Sequence, residues 1–293
     1  MRESCPAMAV ALAGFLDDLE LEGRASTAKT YRALLKPLRD AQQPVTALGA
    51  PLCRELVRER LHASSVASTR TFWGALAAFA RWCVDQGWIA ESPMAHVPCP
   101  RRKERPHRYL SRDQARALWQ AATECPPRYR TENLLLLRLL GSGLRRGEVV
   151  ALRWSDVDGD ALRVPAIKRG RPRVVPLAPV DVALIEALRT QRGAFSGDGA
   201  RASRIFPYRG ETLAYRLRKL GERARVPHVH PHLLRHTFAS WAMLEGVSAS
   251  LLMQLGGWRS EDMIRRVYAR SAIEQAALRA AREADIPGKL FGG

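Results

Sequence analysis

Residues 92–107, with the sequence SPMAHVPCPRRKERPH, divide the chain into two parts. Four prolines and a basic run occur in this segment, and its apolar residues follow no helical or strand period. Proline breaks a helix and restricts the residue before it, so no regular element is expected to continue through the segment. At 293 residues the chain is also longer than most single domains. The sequence therefore predicts two domains, residues 1–91 and 108–293, joined by a basic linker over residues 92–107.

The first domain is predicted to be a small helical bundle. Ser26 is the expected N-cap of its second helix, Pro37 is expected to interrupt or end that helix, and the fourth helix is expected to start at Ser68 or Thr69. Aromatic residues of the fourth helix recur at helical spacing, and we interpret them as core rather than as platforms that stack on bases. The helical periods cover residues 7–22, 27–41, 51–62 and 69–87.

The second domain is predicted to combine helices with one β-hairpin. Ser111 is a candidate N-cap, and residues 132–140 form a strongly apolar helix that is expected to be buried. Two short apolar runs, residues 162–167 and 173–177, flank the turn KRGRP, which favours a hairpin. Residues 212–226 form a basic amphipathic helix that either enters a groove of DNA or presents a solvated face. The predicted fold class is therefore mainly α with a small β-sheet.

The formal charge of +18 lies almost entirely after residue 100. Residues 1–100 carry about +1, and residues 101–293 carry about +17. A surplus of this size indicates a polyanionic partner, with nucleic acid as the first candidate, and a generally basic solvated surface is the alternative. No apolar run is long enough to span a membrane, and acidic residues follow the first apolar stretch too soon for a secretion signal. We therefore expect a cytoplasmic, nucleoid-associated protein.

Neither the cysteines nor the histidines form a pattern that requires a metal. The five cysteines are widely spaced, without a Cys-x-x-Cys pair, so we expect reduced packing residues. Four histidines near a helix start raise the alternative of a zinc site, but no cysteine lies near them and they straddle that start. A GxxxxGK[ST] phosphate-binding loop is also absent, so no metal, ATP or other cofactor is expected. The four histidines of the alternative zinc site are His228, His230, His232 and His236.

The segment from residue 230 to residue 270 concentrates side chains suited to phosphate chemistry. Pro231 can begin a helix, which would place His232 and Arg235 on one face near its N-terminus, where an anion is favoured. Tyr268 follows the amphipathic fragment MIRRV and is the last tyrosine of the chain. Since an unperturbed phenol has a pKa near ~10, Tyr268 needs positive charge or a base to lose its proton. A reactive tyrosine is one interpretation of this grouping.

Arg145 and Lys168 could supply the remaining groups that phosphoryl transfer requires. The reaction requires a nucleophile, an acid for the leaving oxygen, and fixed positive charge around oxygens that become more negative in the transition state. Arg145 follows Gly143-Leu144 and offers, like Arg235, a planar fork for two phosphate oxygens. Lys168 lies at the tip of the predicted hairpin and could protonate a leaving hydroxyl. Taken singly, each residue favours an ordinary structural role, and their order along the chain is the more specific signal.

Four segments carry a resemblance to a known family. GLRRGEVVAL, IKRGRPRVVPL, HPHLLRHTFAS and LGGWRSEDMIRRVY are similar to the successive boxes of the tyrosine recombinase or integrase family. The similarity extends from residue 107 to residue 270, and the N-terminal bundle and linker resemble that family's core-binding domain in their arrangement. The resemblance implies a two-domain DNA clamp. A helical, SAM-like core-binding domain would precede a mixed α+β tyrosine recombinase catalytic domain with a C-terminal helical tail.

The resemblance also implies roles for individual residues. Arg145, with Arg146 as the alternative register, and Arg235 would hold the phosphate. Lys168 would act as general acid toward the 5′ oxygen. His232 would be a proton shuttle or a phosphate ligand.

Trp258 and Tyr268 complete the implied site. Trp258 stands where many family members have histidine, and its indole N–H can donate to a phosphate oxygen but cannot act as a base. Tyr268 would be the nucleophile, and it lies ten residues after Trp258, one residue more than the commoner family spacing. His236 is expected to be a structural hydrogen-bonding partner.

Candidate DNA-backbone contacts lie at the start of the second helix, in the linker and beside the hairpin lysine. The basic linker would either lie along a phosphate backbone or stay solvated. These candidates are Lys29, Thr30, Arg32, Lys36, Arg101, Arg102, Lys103, Arg169 and Arg171.

The function implied by the resemblance is site-specific recombination of double-stranded DNA through a 3′-phosphotyrosyl intermediate and a Holliday junction. The protein would act as a homo-tetramer on paired sites and be a monomer or weak oligomer when free. Its C-terminal tail would pack on a neighbouring protomer or in cis. The compact chain favours an Xer-like or small mobile-element enzyme. Two alternatives stay open, namely a strand-relaxing enzyme similar to topoisomerase IB and a non-catalytic DNA-binding regulator.

Overall fold

The computed structural model describes residues 5–101, 108–167, 171–193, 203–265 and 268. These residues fall into two compact units, which divide between residues 105 and 106. Most of them are helical, and the described strands all belong to the second unit, so the predicted fold class is confirmed. Among the described helices, none is long and apolar enough to cross a membrane.

Within residues 5–101, four long helices and one short helix enclose an apolar core. Phe72, Leu76 and Phe79 of the last helix are all buried in this core. The Phe79 ring packs against that of Phe15, with 5.6 Å between the ring centroids, so these aromatic residues are core as predicted. The helices are α1 (Met8–Leu21), α2 (Ala25–Leu34), α3 (Lys36–Arg39), α4 (Ala50–Ala63) and α5 (Val66–Asp85).

Two predicted helix starts in this unit are wrong. Ser26 lies inside α2, whose N-cap is Arg24, because the turn that closes α1 also starts α2. α5 begins before residue 68, because the Ser65 hydroxyl accepts the backbone N–H of Ser68 at 3.2 Å and caps the helix there. Pro37 interrupts the second helix as predicted and leaves the short α3 after it.

In the described part of the second unit, helices surround a small sheet. Its first helix begins with a capping box between Ser111 and Gln114, which confirms the predicted N-cap. The helix of residues 127–141 supplies leucines to the centre of the core. The elements are α6 (Arg112–Thr123), α7 (Pro127–Gly141), α8 (Arg146–Ala151), β1 (Val157–Asp158), β2 (Ala161–Val164), β3 (Arg173–Pro176), α9 (Pro179–Gly193), α10 (Gly210–Arg223), α11 (Pro231–Leu244), α12 (Ala249–Gly256) and α13 (Glu261–Ile264).

The sheet has three antiparallel strands in the order β1-β2-β3, one strand more than predicted. β2 and β3 form the predicted hairpin, in which Leu162 pairs with Val175 and Val164 pairs with Arg173. β1 was not predicted because a strand of two residues carries no readable period. Both strands of the hairpin are shorter than predicted, since β2 ends at Val164 and β3 ends at Pro176.

Packing among five elements positions the candidate site. α11 packs against α7 and α12, and α12 lies against β3. The connection from α7 to α8 runs through Gly143 to Arg145. The N-terminus of α8, the start of β3, the first turns of α11 and the C-terminus of α12 therefore meet in one place.

The cysteines and histidines form no metal cluster in the part of the chain that the structure describes. All five cysteines are free. Burial raises the pKa of Cys53 to about 11 and that of Cys83 to about 12, so both thiols are protonated packing groups at neutral pH.

Candidate active site

Arg145 caps α8 and is held by Glu148. Its backbone N–H donates to Oε2 of Glu148 at 2.8 Å, and its Nη1 donates to Oε1 of the same carboxylate at 2.8 Å. Nη2 of Arg145 donates to the carbonyl oxygen of Gly257. The side chain is still 35% exposed. The guanidinium is therefore fixed in orientation while part of it stays open to a ligand.

Arg173, the first residue of β3, also binds the carboxylate of Glu148. Its Nη1 and Nη2 donate to the two oxygens of Glu148 at 3.0 and 2.8 Å, and its Nε donates to the carbonyl oxygen of Leu255 at 2.7 Å. Burial opposes ionisation of Glu148, but the hydrogen bonds and charges of Arg173 and Arg145 outweigh it and lower the pKa of Glu148. The ionised carboxylate thus joins the hairpin to Arg145.

Arg173 and Glu148 are site residues that sequence reasoning did not identify. One signal could have indicated Arg173, because an arginine opens an otherwise apolar strand and a buried arginine needs an acidic partner. Glu148, three residues after Arg145, is such a partner, but nothing in the sequence indicates which basic residue it meets across 25 positions.

Arg235 lies in the first turns of α11, as predicted, and its side chain is buried. Its Nη1 donates to the carbonyl oxygens of Gly143 and Gly256, the latter at 2.6 Å. Its Nη2 is buried and has no hydrogen-bond partner among the described residues. Burial, and then the charge of Arg145, lower the pKa of Arg235 to about 9, so the group is still charged at neutral pH. An anion that reached Nη2 would satisfy the unpaired donor.

Two glycines let the LGGW segment close around Arg235. Gly257 ends α12 in the left-handed conformation, with a φ of +63°. A Cβ at Gly256 would lie 1.7 Å from the Trp258 ring, so only glycine lets the indole fold back over the helix end. The indole then lies against the guanidinium of Arg235, with 3.7 Å between Cζ and the ring centroid. This cation–π contact orients both groups.

His232 lies one helical turn before Arg235 and is exposed. The helix start that carries it is fixed by His230, whose Nδ1 accepts the backbone N–H of Leu233 at 3.1 Å. Although the residue is exposed overall, partial desolvation of its imidazole, and then the charges of Arg235 and the neighbouring arginines, lower the pKa of His232. This shift favours the neutral imidazole, which can accept a proton or donate one hydrogen bond to an anion.

Tyr268 is buried against α11 and the indole, with 2% of its surface exposed. Its ring meets that of Trp258 edge-on, with 5.9 Å between the centroids. Its hydroxyl oxygen lies 2.6 Å from Nδ1 of His236. Burial raises the pKa of Tyr268, while the charge of Arg235 and a hydrogen bond with Trp258 lower it in part. The phenol thus packs within the site of its own chain.

Tyr268 contacts Trp258 although ten residues separate the two along the chain, one more than the commoner family spacing. Both Arg265 and Tyr268 have π-helical geometry.

Arg146, the alternative to Arg145, faces a different neighbour. Its Nη2 lies 3.9 Å from the carboxylate of Glu211 at the start of α10, and its side chain is 44% exposed. Arg145 is the residue of the two that bonds to Glu148 and to Gly257. The geometry favours the register with Arg145.

The structure brings five of the six predicted catalytic residues together. Arg145 and Arg235 share the carbonyl-lined end of α12, His232 lies near both, and Trp258 and Tyr268 complete the cluster. Lys168 lies outside the described residues.

The predicted DNA-backbone contacts are exposed wherever the structure describes them. Two of them already have partners within the chain, since Arg32 pairs with Glu20 at 2.9 Å and the Thr30 hydroxyl donates to the carbonyl oxygen of Ser26 at 3.0 Å. The exposed candidates are Lys29, Thr30, Arg32, Lys36, Arg101 and Arg171. Those outside the described residues are Arg102, Lys103 and Arg169.

Comparisons with known proteins agree with this arrangement. Residues 108–275 match the phage integrase family. The tyrosine recombinase XerC of Xanthomonas campestris pv. campestris (strain B100) is 31% identical over 242 residues, which cover 77% of this chain and 73% of that protein.

Two solved structures share the fold. The XerH site-specific recombinase bound to palindromic difH substrate has a TM-score of 0.74 at 15% identity, over 87% of this chain and 79% of that chain. A lambda integrase tetramer bound to a Holliday junction has a TM-score of 0.69 at 18% identity, over 86% of this chain and 77% of that chain. The family match spans more than half of the sequence, and the XerC similarity spans more than two thirds. The chain therefore belongs to the phage integrase family and is a tyrosine site-specific recombinase.

Proposed function

We propose that Tyr268 attacks a DNA phosphate that Arg145 and Arg235 hold, and that it forms a 3′-phosphotyrosyl bond and releases a 5′-hydroxyl. That hydroxyl then attacks the phosphotyrosyl bond of a partner strand and reseals the DNA. The energy of the broken phosphodiester is kept in the covalent link. The cycle therefore needs neither ATP nor a metal ion.

The electrostatics of the cluster support the role of the two arginines. Arg145, Arg173 and Arg235 surround the single carboxylate of Glu148, so positive charge is in excess. Backbone carbonyls and the indole fix these groups before any ligand arrives. Preorganised charge of this kind stabilises the oxygens of a phosphate most strongly in the transition state, where their negative charge is greatest. Arg235 Nη2, buried and unpaired among the described residues, is a donor suited to a phosphate oxygen.

The remaining roles follow from position and chemistry. His232, a neutral imidazole at the N-terminus of α11, is a ligand for a phosphate oxygen. Trp258 orients Arg235 and offers its indole N–H to the phenol oxygen or to a phosphate oxygen. Lys168 belongs to the connection between β2 and β3 and would give its proton to the departing 5′ oxygen.

We infer that both domains clamp double-stranded DNA. The domain of residues 1–91 would contact the backbone through exposed Lys29, Thr30, Arg32 and Lys36, and the basic linker would add further phosphate contacts. The concentration of charge after residue 100 predicts binding that weakens steeply with salt. A homo-tetramer on paired sites, passing through a Holliday junction, is supported by the lambda integrase tetramer of similar fold.

One observation carries the proposal, namely that Tyr268 and Arg235 contact the same indole ring. A strand-relaxing enzyme could share that geometry, so the test concerns the product. A plasmid with two target sites in direct repeat should yield two separate circles in the presence of the protein. Loss of supercoils without any change of connectivity would indicate relaxation instead, and binding without either product would indicate a regulator.

A further inference from the structure

The hydroxyl of Tyr268 lies at direct hydrogen-bond distance from a histidine that the roles above leave unused. Its oxygen is 2.6 Å from Nδ1 of His236, and the two rings are tilted, with centroids 5.5 Å apart. His236 lies on α11 immediately after Arg235. The same helix that holds a phosphate-binding arginine therefore also places an imidazole nitrogen against the nucleophile.

A phenol in this position needs a group that removes its proton. The attack on phosphorus requires the oxygen in its ionised form or losing its proton as the new bond forms. Burial favours the neutral phenol, since it raises the pKa of Tyr268, and the charge of Arg235 and the hydrogen bond with Trp258 offset this only in part. Arg235 and Trp258 stabilise a phenolate once it has formed, but neither a guanidinium nor an indole N–H accepts a proton.

α11 places His232 and His236 next to different parts of the site. His232 and His236 are four residues apart on α11, so they lie one above the other on the same side. His232 lies at the helix N-terminus, near Arg145 and Arg146, where an anion is favoured. His236, one turn further along, contacts the phenol oxygen directly.

We propose that His236 is the general base of the cleavage step and accepts the phenolic proton on Nδ1 as Tyr268 attacks the DNA phosphate. The imidazole begins with its proton on Nε2, and the phenol O–H donates to Nδ1. The O–H bond breaks as the O–P bond forms, the P–O5′ bond breaks, and the 5′ oxygen takes a proton from the general acid. Resealing runs in reverse, with the imidazolium returning its proton to the departing tyrosine. This inference rests on the proposed role of Tyr268 as the nucleophile.

The test separates proton transfer from simple positioning. Asparagine at position 236 places an amide near the position of Nδ1, so His236→Asn can keep a hydrogen bond to the phenol but cannot take up a proton. His236→Ala removes both properties. His228→Asn is the matched control, because His228 lies on the exposed loop before α11. Single-turnover cleavage of a nicked suicide substrate is measured from pH 5.5 to 9.5, with DNA binding and thermal unfolding measured for every variant.

The expected rate of His236→Asn at pH 7 is about 10²-fold below that of the wild type or lower, with DNA binding unchanged. The wild-type rate should level off once the imidazole is neutral. The variant rate should instead keep rising by about tenfold per pH unit, since it then depends on the small ionised fraction of the phenol. A more acidic fluorinated tyrosine introduced at position 268 should restore part of the lost rate. That rescue would not occur for a variant that had merely lost its fold.

Two outcomes would overturn the inference about His236, and a third would overturn the proposed function on which it rests. A His236→Asn protein that cleaves at the wild-type rate with the wild-type pH profile would show that His236 only holds the phenol in place. Faster cleavage would show that the contact restrains the tyrosine. Absence of any covalent product from the wild-type protein would instead refute the proposed function of Tyr268.

Discussion

Arg173 donates two hydrogen bonds to Glu148, at 2.8 and 3.0 Å, and the two side chains are 8% and 4% exposed. The same carboxylate accepts from the backbone and the guanidinium of Arg145. Glu148 therefore connects the strand that follows Lys168 to the arginine that is expected to hold the phosphate. β3 and Arg145 should therefore move together.

Arg173→Met should destabilise the protein by about 1.5–3 kcal/mol at pH 7, because it removes the charged hydrogen bonds of Arg173 from the buried carboxylate of Glu148, which keeps Arg145 as its partner. The folded-state pKa of Glu148 is lowered, so the stability from this pair is complete above the unfolded pKa, near ~4.3, and is lost as pH falls through the folded value. The deficit measured by thermal unfolding should thus shrink on acidification. The matched control is Arg163→Met on β2, which removes an exposed pair with Asp158 of β1 and should cost no more than about 1 kcal/mol.

Arg145→Ala should lower the single-turnover cleavage rate by about 10²-fold or more while DNA affinity changes little, because the guanidinium acts mainly on charge that develops in the transition state. Arg146→Ala is the matched control, since Arg146 is adjacent, of the same type and directed toward Glu211. Its cleavage rate should stay within a few-fold of the wild type. Equal losses for the two variants would count against the register, and loss of binding alone would make Arg145 an ordinary backbone contact.

Lys168→Ala should slow cleavage of ordinary DNA but recover on a substrate with sulfur in place of the bridging 5′ oxygen, because a thiolate leaves without protonation. Arg169→Ala, the neighbouring basic residue, should show no such recovery, since its expected contact is with the DNA backbone. The measurement is the ratio of cleavage rates on the two substrates. A Lys168→Ala protein equally slow on both would lose its assigned role as general acid.

Local sequence signals located the elements that carry the site. Pro231 marks the first turn of α11, so the positions of His232 and Arg235 on one face could be predicted. Ser111 and Gln114 form a capping box that is readable from four residues. Such signals involve neighbours along the chain, whose geometry is fixed once the helix forms.

Two kinds of feature could not be predicted from the sequence. One is a contact between residues far apart along the chain, and the other is the choice of one helix cap among several neighbouring hydroxyl residues. Arg173 meets Glu148 across 25 positions, and Tyr268 meets His236 across 32, and no periodicity encodes either pair. His236 was predicted to be a structural partner because its neighbour could not be known. The start of α5 was misplaced because several hydroxyl residues in SSVAST can cap a helix. The structure uses Ser65 for this purpose, while the Thr69 hydroxyl bonds back to the carbonyl oxygen of Ser65 at 3.1 Å.

The role of Tyr268 as nucleophile is tested most directly by covalent attachment of the protein to a nicked suicide substrate, from which the 5′ product diffuses away. The wild-type protein should form an adduct that survives denaturation, and so should Tyr129→Phe, which alters an exposed tyrosine. Tyr268→Phe should bind the substrate equally well and form no adduct. An adduct of equal yield with Tyr268→Phe, or none with the wild-type protein, would show that Tyr268 is not the nucleophile.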